Sequence, residues 1–227
     1  MTAKLYIVAT PIGNLEDITL RALRILKEVD VVLCEDTRVT GKLLHHYEIK
    51  ADMISYHANS KLAKADKILD LLREGKELAL VSDAGTPTIS DPGVQLIELI
   101  KDQDIDAEVV PIPGVAALTA ALSVSGFSGN QFTFFGFIPH KKGRQTLFQE
   151  MADNERISVS YESPHRIEKT LDALSEVLDE SREVMIGREL TKMFEQIVRG
   201  SAQEVSEYFK NNPGKVKGEF VLLVDGK

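Results

Sequence analysis

The sequence contains a single cysteine, Cys34. That excludes a disulfide framework within the chain and any thiolate cluster for zinc. Its place in the apolar run Val31-Val32-Leu33-Cys34 reads as that of a small buried hydrophobe. No stretch approaches the ~18–20 apolar residues of a membrane-spanning helix. The first apolar run, Leu5 to Ala9, falls short of the ~7–15 residues of a signal-peptide core. The expectation is a cytoplasmic protein with no membrane association. Both the dinucleotide fingerprint G-x-G-x-x-G and the triphosphate loop G-x-x-x-x-G-K-[ST] are missing. No metal is implied, because the five histidines show no ligand spacing with carboxylates and His45 and His46 are adjacent, on different faces of a helix. Positive charge is short as well: 27 Lys and Arg stand against 35 Asp and Glu, a net charge of -8. A polyanion such as RNA would therefore have to be met by a local basic patch.

What is present is a regular alternation. Lys4–Ala9, Val31–Cys34, Met53–Tyr56, Leu78–Ser82 and Val109–Ile112 read as short strands. Between them, Ile18–Lys27, Thr37–Tyr47, Leu62–Arg73 and Gly93–Lys101 carry apolar residues at helical spacing, the last opened by Asp91-Pro92 as N-cap and first turn. Apolar strands alternating with helices predict an α/β domain with a mostly parallel sheet, covered on both faces. Right-handed crossovers then bring the C-terminal strand ends and their loops to one edge, where ligands of such sheets bind. Pro111-Ile112-Pro113-Gly114 ends a strand and redirects the chain, which sets the expected boundary between domains 1–113 and 114–227. The second half predicts another α/β domain with a mixed sheet. It has a helix over Val115–Ser123, strands at Gln131–Phe135, Ile157–Tyr161, Glu183–Gly187 and Glu219–Val224, and a helix from Ser163-Pro164 to about Val177. A further helix to Lys210 opens with the capping box Ser201/Glu204.

Two loops at the predicted ligand edge stand out. Ser82–Gly93 is rich in Gly and Pro and carries Asp83, a hydrogen-bond acceptor for an amine or a ribose hydroxyl. Ala9–Leu15 follows the first strand, and on its own is balanced between a turn and a site. Ala9-Thr10-Pro11-Ile12-Gly13-Asn14-Leu15, Cys34-Glu35-Asp36-Thr37-Arg38, Ser82–Gly93, Tyr161-Glu162-Ser163-Pro164-His165-Arg166 and Gly187-Arg188-Glu189-Leu190-Thr191-Lys192 occur together in this order. In that combination the chain resembles the ribosomal RNA methyltransferases of the tetrapyrrole methylase superfamily, over essentially its whole length.

The resemblance implies two α/β domains with S-adenosylmethionine in the cleft between them, and a homodimer. It implies 2′-O-methylation of a cytidine in the decoding region of 16S rRNA within the small ribosomal subunit. To the cofactor it assigns Pro11, Gly13, Ser82, Asp83, Ala84, Gly85, Thr86, Pro87, Pro113, Gly114, Ala116, Tyr161, Glu162 and Glu219. There are departures from the pattern. Val115 and Ala116 stand where the junction often reads Pro-Ser or Pro-Cys, which removes any side-chain hydrogen bond at 116. Thr10–Asn14 does not reproduce the Gly-rich first loop of the corrin enzymes, which favours the RNA branch.

A ribose hydroxyl is a weak acid, so a base should help to take its proton. The candidates are Glu35, Asp36, Glu189 and Lys192, each also readable as an ion-paired surface charge. Arg38, Arg166 and Arg188 read as forks for phosphate or carboxylate, and His165 as a structural or RNA-contacting residue. His140-Lys141-Lys142-Gly143-Arg144 is a compact basic loop in which Lys141, Lys142 and Arg144 are candidates for RNA contact; a plain solvated loop is the alternative. Phe132, Phe134 and Phe135 read as core, while Phe137 is undecided. Two other functions remain open: a methylase of the same fold acting on a tetrapyrrole or a protein side chain, and a non-catalytic cofactor-sensing module that binds the ribosome.

Overall fold

Short, mostly apolar strands decide the first half of the chain. In the computed structural model, which describes residues 2–57, 62–90, 93–128 and 130–227, β1 (Ala3–Val8) lies between β4 (Glu77–Leu80) and β5 (Ala107–Ile112). β2 (Val31–Cys34) lies between β3 (Asp52–Ser55) and β4. Every pairing is parallel and the order is β3-β2-β4-β1-β5. Successive side chains point to opposite faces of a strand. Leu5, Ile7, Leu33, Leu78 and Leu80 thus form one core with α3 (Leu62–Arg73) and α4 (Gly93–Asp102). Tyr6, Val8, Val32, Cys34 and Ala79 form the other with α1 (Leu20–Glu28) and α2 (Thr37–His46). Burial on both faces is why the central strands β1, β2 and β4 lack polar alternation. Helix α1 begins at Leu20 rather than Ile18, because the Thr19 hydroxyl accepts from the Ala22 amide at 3.0 Å and fixes the start there. The cap expected at Asp91-Pro92 lies outside the described residues.

The chain divides after Ala116, just beyond the Pro-rich junction. In the second unit α5 (Ala117–Ser125) is followed by a sheet of order β6-β7-β10-β8-β9, built from Phe132–Phe137, Ile157–Glu162, Phe220–Val224, Glu183–Arg188 and Gln196–Ser201 respectively. The β6–β7 pair is parallel and the other three are antiparallel, hence a mixed sheet. One face is covered by α6 (Arg144–Asp153), α7 (Ile167–Ser175) and α8 (Ala202–Asn211), with Phe148, Leu171, Val205 and Phe209 fully buried against Phe220, Leu222 and Val224. The capping box is formed at α8: the Ser201 amide donates to Glu204 at 2.8 Å and the Glu204 amide to the Ser201 hydroxyl at 3.3 Å. Helix α6 and strand β9 are additional to the elements expected from the sequence. Helix α7 starts later than Ser163-Pro164 suggests, since Ser163 turns the chain by accepting from the Arg166 and Ile167 amides. His165 accordingly lies on an exposed turn and not in the helix. Among the described residues no helix is long and apolar enough to cross a membrane.

Candidate active site

At the C-terminal edge of the first sheet the loops after β1 and β4 are joined. Thr10 and Gly85 exchange backbone hydrogen bonds of 2.9 and 3.0 Å, and the Thr10 hydroxyl donates to the Ser82 carbonyl at 3.1 Å. Ser82 is buried and its hydroxyl donates to the carbonyls of Ala84 and Gly85. Gly85 sits at φ +87, where a side chain is strained, and a Cβ there would press on Ile12 at 3.4 Å. The Thr86 hydroxyl reaches the Val115 carbonyl at 3.0 Å, which ties this loop to the segment after β5. Gly114 lies so close to the end of β1 that a Cβ would come within 2.7 Å of the Ala9 Cβ. Pro11 and Pro87 are buried, whereas Gly13, Asp83, Ala84, Pro113 and Gly114 are exposed and Ala116 is half-buried. Thr88 and Ser90 hold φ of +73 and +69, strain of the kind that collects at functional loops.

The loop after β2 adds carboxylates, and the structure separates their chemistry. Burial pushes the Glu35 carboxyl above the ordinary glutamate range, and the nearby Asp83 carboxylate adds to the effect. Asp36 is the reverse. It caps α2 by accepting from the Arg38 amide at 2.8 Å and clasps the Arg38 guanidinium at 2.6 Å, which draws its carboxyl down to about 2. Asp36 is therefore a cap with an ion partner and holds no proton near neutrality, and Arg38 is exposed but engaged with it. The Asp83 carboxylate accepts from the Asp36 amide at 3.2 Å, joining the two loops. The loops after β1, β2 and β4 thus meet at one edge with the carboxylates of Glu35, Asp36 and Asp83 among them, a donor set that fits a cationic adenosyl sulfonium. Gly85 and Gly114 let these loops pack closely on Ile12 and Ala9.

In the second unit the expected site residues fall into two clusters. Glu162 has no solvent-exposed side-chain surface. It accepts from Arg166 at 2.6 Å, Arg144 at 3.3 Å, the Thr170 hydroxyl at 2.6 Å and the Ser163 amide at 2.7 Å. With both oxygens so occupied, Glu162 organises its neighbours and has no free lone pair aimed at a ligand. Arg144 and Arg166, expected at an RNA surface, are turned inward: beyond Glu162 they donate to the carbonyls of Pro139 (3.2 Å) and Ile138 (2.8 Å). Arg188 is also buried, and bonds the carbonyls of Lys217 (2.9 Å) and Phe194 (3.1 Å). The side chains left at the surface are Lys141, Lys142 and His165. Tyr161 is half-buried, with its ring edge-on to Phe134 and Phe137.

The second cluster is a bridge. The Lys192 ammonium lies 3.0 Å from Glu189 and 2.9 Å from the exposed Glu219. Burial works to raise the Glu189 carboxyl, but the Glu219 amide and the Lys192 ammonium outweigh it and hold it below the ordinary range. Lys192 is affected in the opposite sense. Burial works to lower it, and the two carboxylates together hold it above its ordinary value. Both groups are thereby fixed in their charged forms, Lys192 already carrying its proton, which leaves Glu35 as the one candidate carboxylate whose surroundings favour taking up a proton. Sequence reasoning missed Thr10, whose hydroxyl joins two loops, and the exposed Met193 and Phe194. The latter line a concavity of about 630 Å³ with Lys215 and Lys217.

The family model for tetrapyrrole (corrin/porphyrin) methylases matches residues 4–206. A ribosomal RNA small subunit methyltransferase I of Thermotoga maritima is 45% identical, covering 99% of this chain and 99% of its own. The chain belongs to the ribosomal RNA small subunit methyltransferase I branch of the tetrapyrrole methylases. Other members are similarly close: that of Synechocystis is 47% identical and that of Bacillus subtilis 46%, each covering 98% of this chain, which spans 78% and 75% of theirs. The fold of the tetrapyrrole methylases is seen in a cobalt precorrin-4 methyltransferase of cobalamin biosynthesis, with a TM-score of 0.71 at 23% identity over 97% of this chain and 94% of the other. A uroporphyrin-III-C-methyltransferase of Thermus thermophilus gives 0.66 at 21%, over 98% and 94%. As a tetrapyrrole methylase the chain is a methyltransferase that uses S-adenosylmethionine as its methyl donor.

Proposed function

We propose that the chain methylates the 2′-hydroxyl of a cytidine in the decoding region of 16S rRNA, acting on the small ribosomal subunit as a homodimer in the cytoplasm. The observation that carries this reading is identity of 45% with a small subunit methyltransferase over 99% of both chains. The motif set supports the choice of nucleotide, and the acid-free basic segment before α6 supports an RNA acceptor. Bound S-adenosylmethionine supplies a methyl group open to direct displacement. The chain's part is to bind, to align and to take a proton. Alignment of two reactants alone is worth of order 7–11 kcal/mol in well-oriented systems. In this reading the cradle formed by Thr10, Ser82–Thr86 and Gly114 holds the donor. Glu35 receives the hydroxyl proton and passes it to water.

The test is transfer of tritiated methyl to small subunits from a strain lacking this enzyme, followed by mapping of the labelled sugar, with tetrapyrrole acceptors assayed in parallel. Label on a single cytidine ribose is the expected result. Label on a tetrapyrrole, or none on RNA, overturns the proposal. Sedimentation of the purified protein checks the dimer.

A further inference from the structure

No Asp or Glu occurs between Glu108 and Glu150, although the chain holds 35 of them. Within this acid-free stretch β6 carries four phenylalanines and is followed by His140, Lys141 and Lys142. Strand β6 forms one edge of the second sheet, and its pairing with β7 contains an irregularity. Phe134 lies opposite Val159, but Phe137 lies opposite Tyr161, so three steps along β6 match two along β7. The extra residue is accommodated at Gly136, whose φ is +68. This is a β-bulge, a device that re-aims the side chains beyond it.

Its effect on Phe137 follows from the alternation of a strand. Phe135 points to the helix-covered core, and without the bulge Phe137 would point there too. With it, Phe137 joins Phe134 on the opposite face, and Ile138 takes the core position, where it is 1% exposed. Phe137 is instead 60% exposed. Its ring stands 5.3 Å from that of Tyr161 at 64°, and Phe134 stands 5.1 Å from the same tyrosine at 67°. The backbone just beyond is fixed from inside: Arg166 holds the Ile138 carbonyl and Arg144 the Pro139 carbonyl, both braced on Glu162. An exposed aromatic ring, supported edge-on by a second ring and mounted on a clamped turn, leads directly into two exposed lysines.

We propose that Phe137 is a stacking platform for an unpaired nucleobase of the RNA substrate, with Lys141 and Lys142 contacting the adjoining phosphates. The inference rests on the RNA reading above and gives it a contact surface. Every nucleobase presents a π-face to such a ring, and lysines on one side track the backbone, which is the usual division of labour in single-strand binding. Phosphate contacts confer salt dependence, whereas stacking does not. The two halves of the platform are therefore separable.

The experiment measures binding of a short cytidine-rich RNA oligonucleotide, and of the same oligonucleotide with abasic sites, across a salt series. It uses the full-length protein and its Phe137→Ala, Phe137→Trp, Phe137→Leu and Lys141→Gln/Lys142→Gln variants. Base–aromatic stacking predicts that Phe137→Ala weakens binding between about 5-fold and about 150-fold. The salt slope should stay unchanged, and the preference for bases over abasic sites should be lost. Phe137→Trp should restore binding and Phe137→Leu should not. The double lysine variant should lower the salt slope by about 0.7 per lysine. Calorimetry with S-adenosylmethionine should give the same affinity for all. The proposal is overturned if Phe137→Ala binds RNA within twofold of the parent, if leucine rescues as well as tryptophan, or if donor affinity falls with RNA affinity. It is equally overturned if Phe137→Ala changes the oligomeric state, since the ring would then be a subunit contact. Methyl transfer to small subunits is read alongside. A parent protein that shows the stacking pattern yet labels no RNA would sink the enzymatic reading alone, and one that labels RNA with Phe137→Ala unaffected would sink the platform alone.

Discussion

The guanidinium of Arg166 stands 2.6 Å from the carboxylate of Glu162, whose side chain is wholly shielded from solvent. Arg144 and Thr170 complete the network around that carboxylate. Removing one partner of a buried ion pair strands the others. Glu162→Ala should therefore destabilise the second unit by about 3–5 kcal/mol, and Glu162→Gln by less, since the amide still accepts one set of hydrogen bonds. Urea denaturation followed by far-ultraviolet dichroism measures both. An unchanged midpoint for Glu162→Ala would show that the network adds no net stability.

Glu35 gives a prediction in pH. Its folded-state carboxyl holds a proton more tightly than the unfolded chain's ordinary value of 4.5. Ionisation therefore opposes folding, and the cost is absent below that value and complete once pH has risen through the folded pKa. Glu35→Gln should match the parent in thermal stability in acid and exceed it at neutral pH. If Glu35 takes the hydroxyl proton, the same variant should lower kcat by about 10²–10⁴-fold, the usual worth of a general base. It should also remove the acid limb of the pH–rate profile. Full activity with an unchanged profile would assign proton uptake elsewhere.

Much of the first unit was legible because its strands are short apolar runs between helices of clear periodicity. Val31–Cys34 and Leu78–Leu80 admit few other readings. Helix α6 left a fainter trace. Leu147, Phe148 and Met151 are spaced for one buried face, but the basic loop directly before them reads as a continuing surface segment. Strand β9 is broken in pattern by Arg199 and Gly200. At the site, glycine and proline mark the loops locally, whereas the Thr10–Gly85 bridge joins residues far apart in the chain. The inward arginines escaped for the same reason. No local feature of Arg144 or Arg188 tells that their partners are Glu162 and the Lys217 carbonyl.

The two glycines of the cradle should behave differently. At Gly114 the space is already taken by Ala9, so Gly114→Ala forces the ends of β1 and β5 apart. Overpacking of that kind costs about 1–3 kcal/mol, and the variant should lose both thermal stability and donor affinity. At Gly85 the contact with Ile12 is tolerable and the left-handed φ is the main penalty, about 1–2 kcal/mol. Calorimetry with S-adenosylmethionine and thermal melts separate the two cases. Unaltered affinity in both variants would remove these loops from the donor site.

Lys192 lies between Glu189 and Glu219, and its replacement by methionine tests whether the bridge is structural. The Glu189 carboxyl is held below its ordinary 4.5, so its contribution is present above that pH and is lost as pH falls through the folded value. The Lys192 ammonium is held above its ordinary 10.5, so its contribution is present below that pH and is lost as pH rises through the folded value. Lys192→Met should then destabilise by a roughly constant amount between these limits and by little outside them. Glu189 is largely buried but Glu219 is exposed, so the cost should fall at about 1–2 kcal/mol, between that of a surface pair and that of a broken buried one. Gly218→Ala, where a methyl would run into the Glu189 carboxylate, should add the strain of a left-handed φ of +90 to loss of the bridge, so only the part of its cost that disappears in acid reports on the bridge. A stability loss that persists undiminished in strong acid would mean that Lys192 acts through packing of its aliphatic stem and not through its charge.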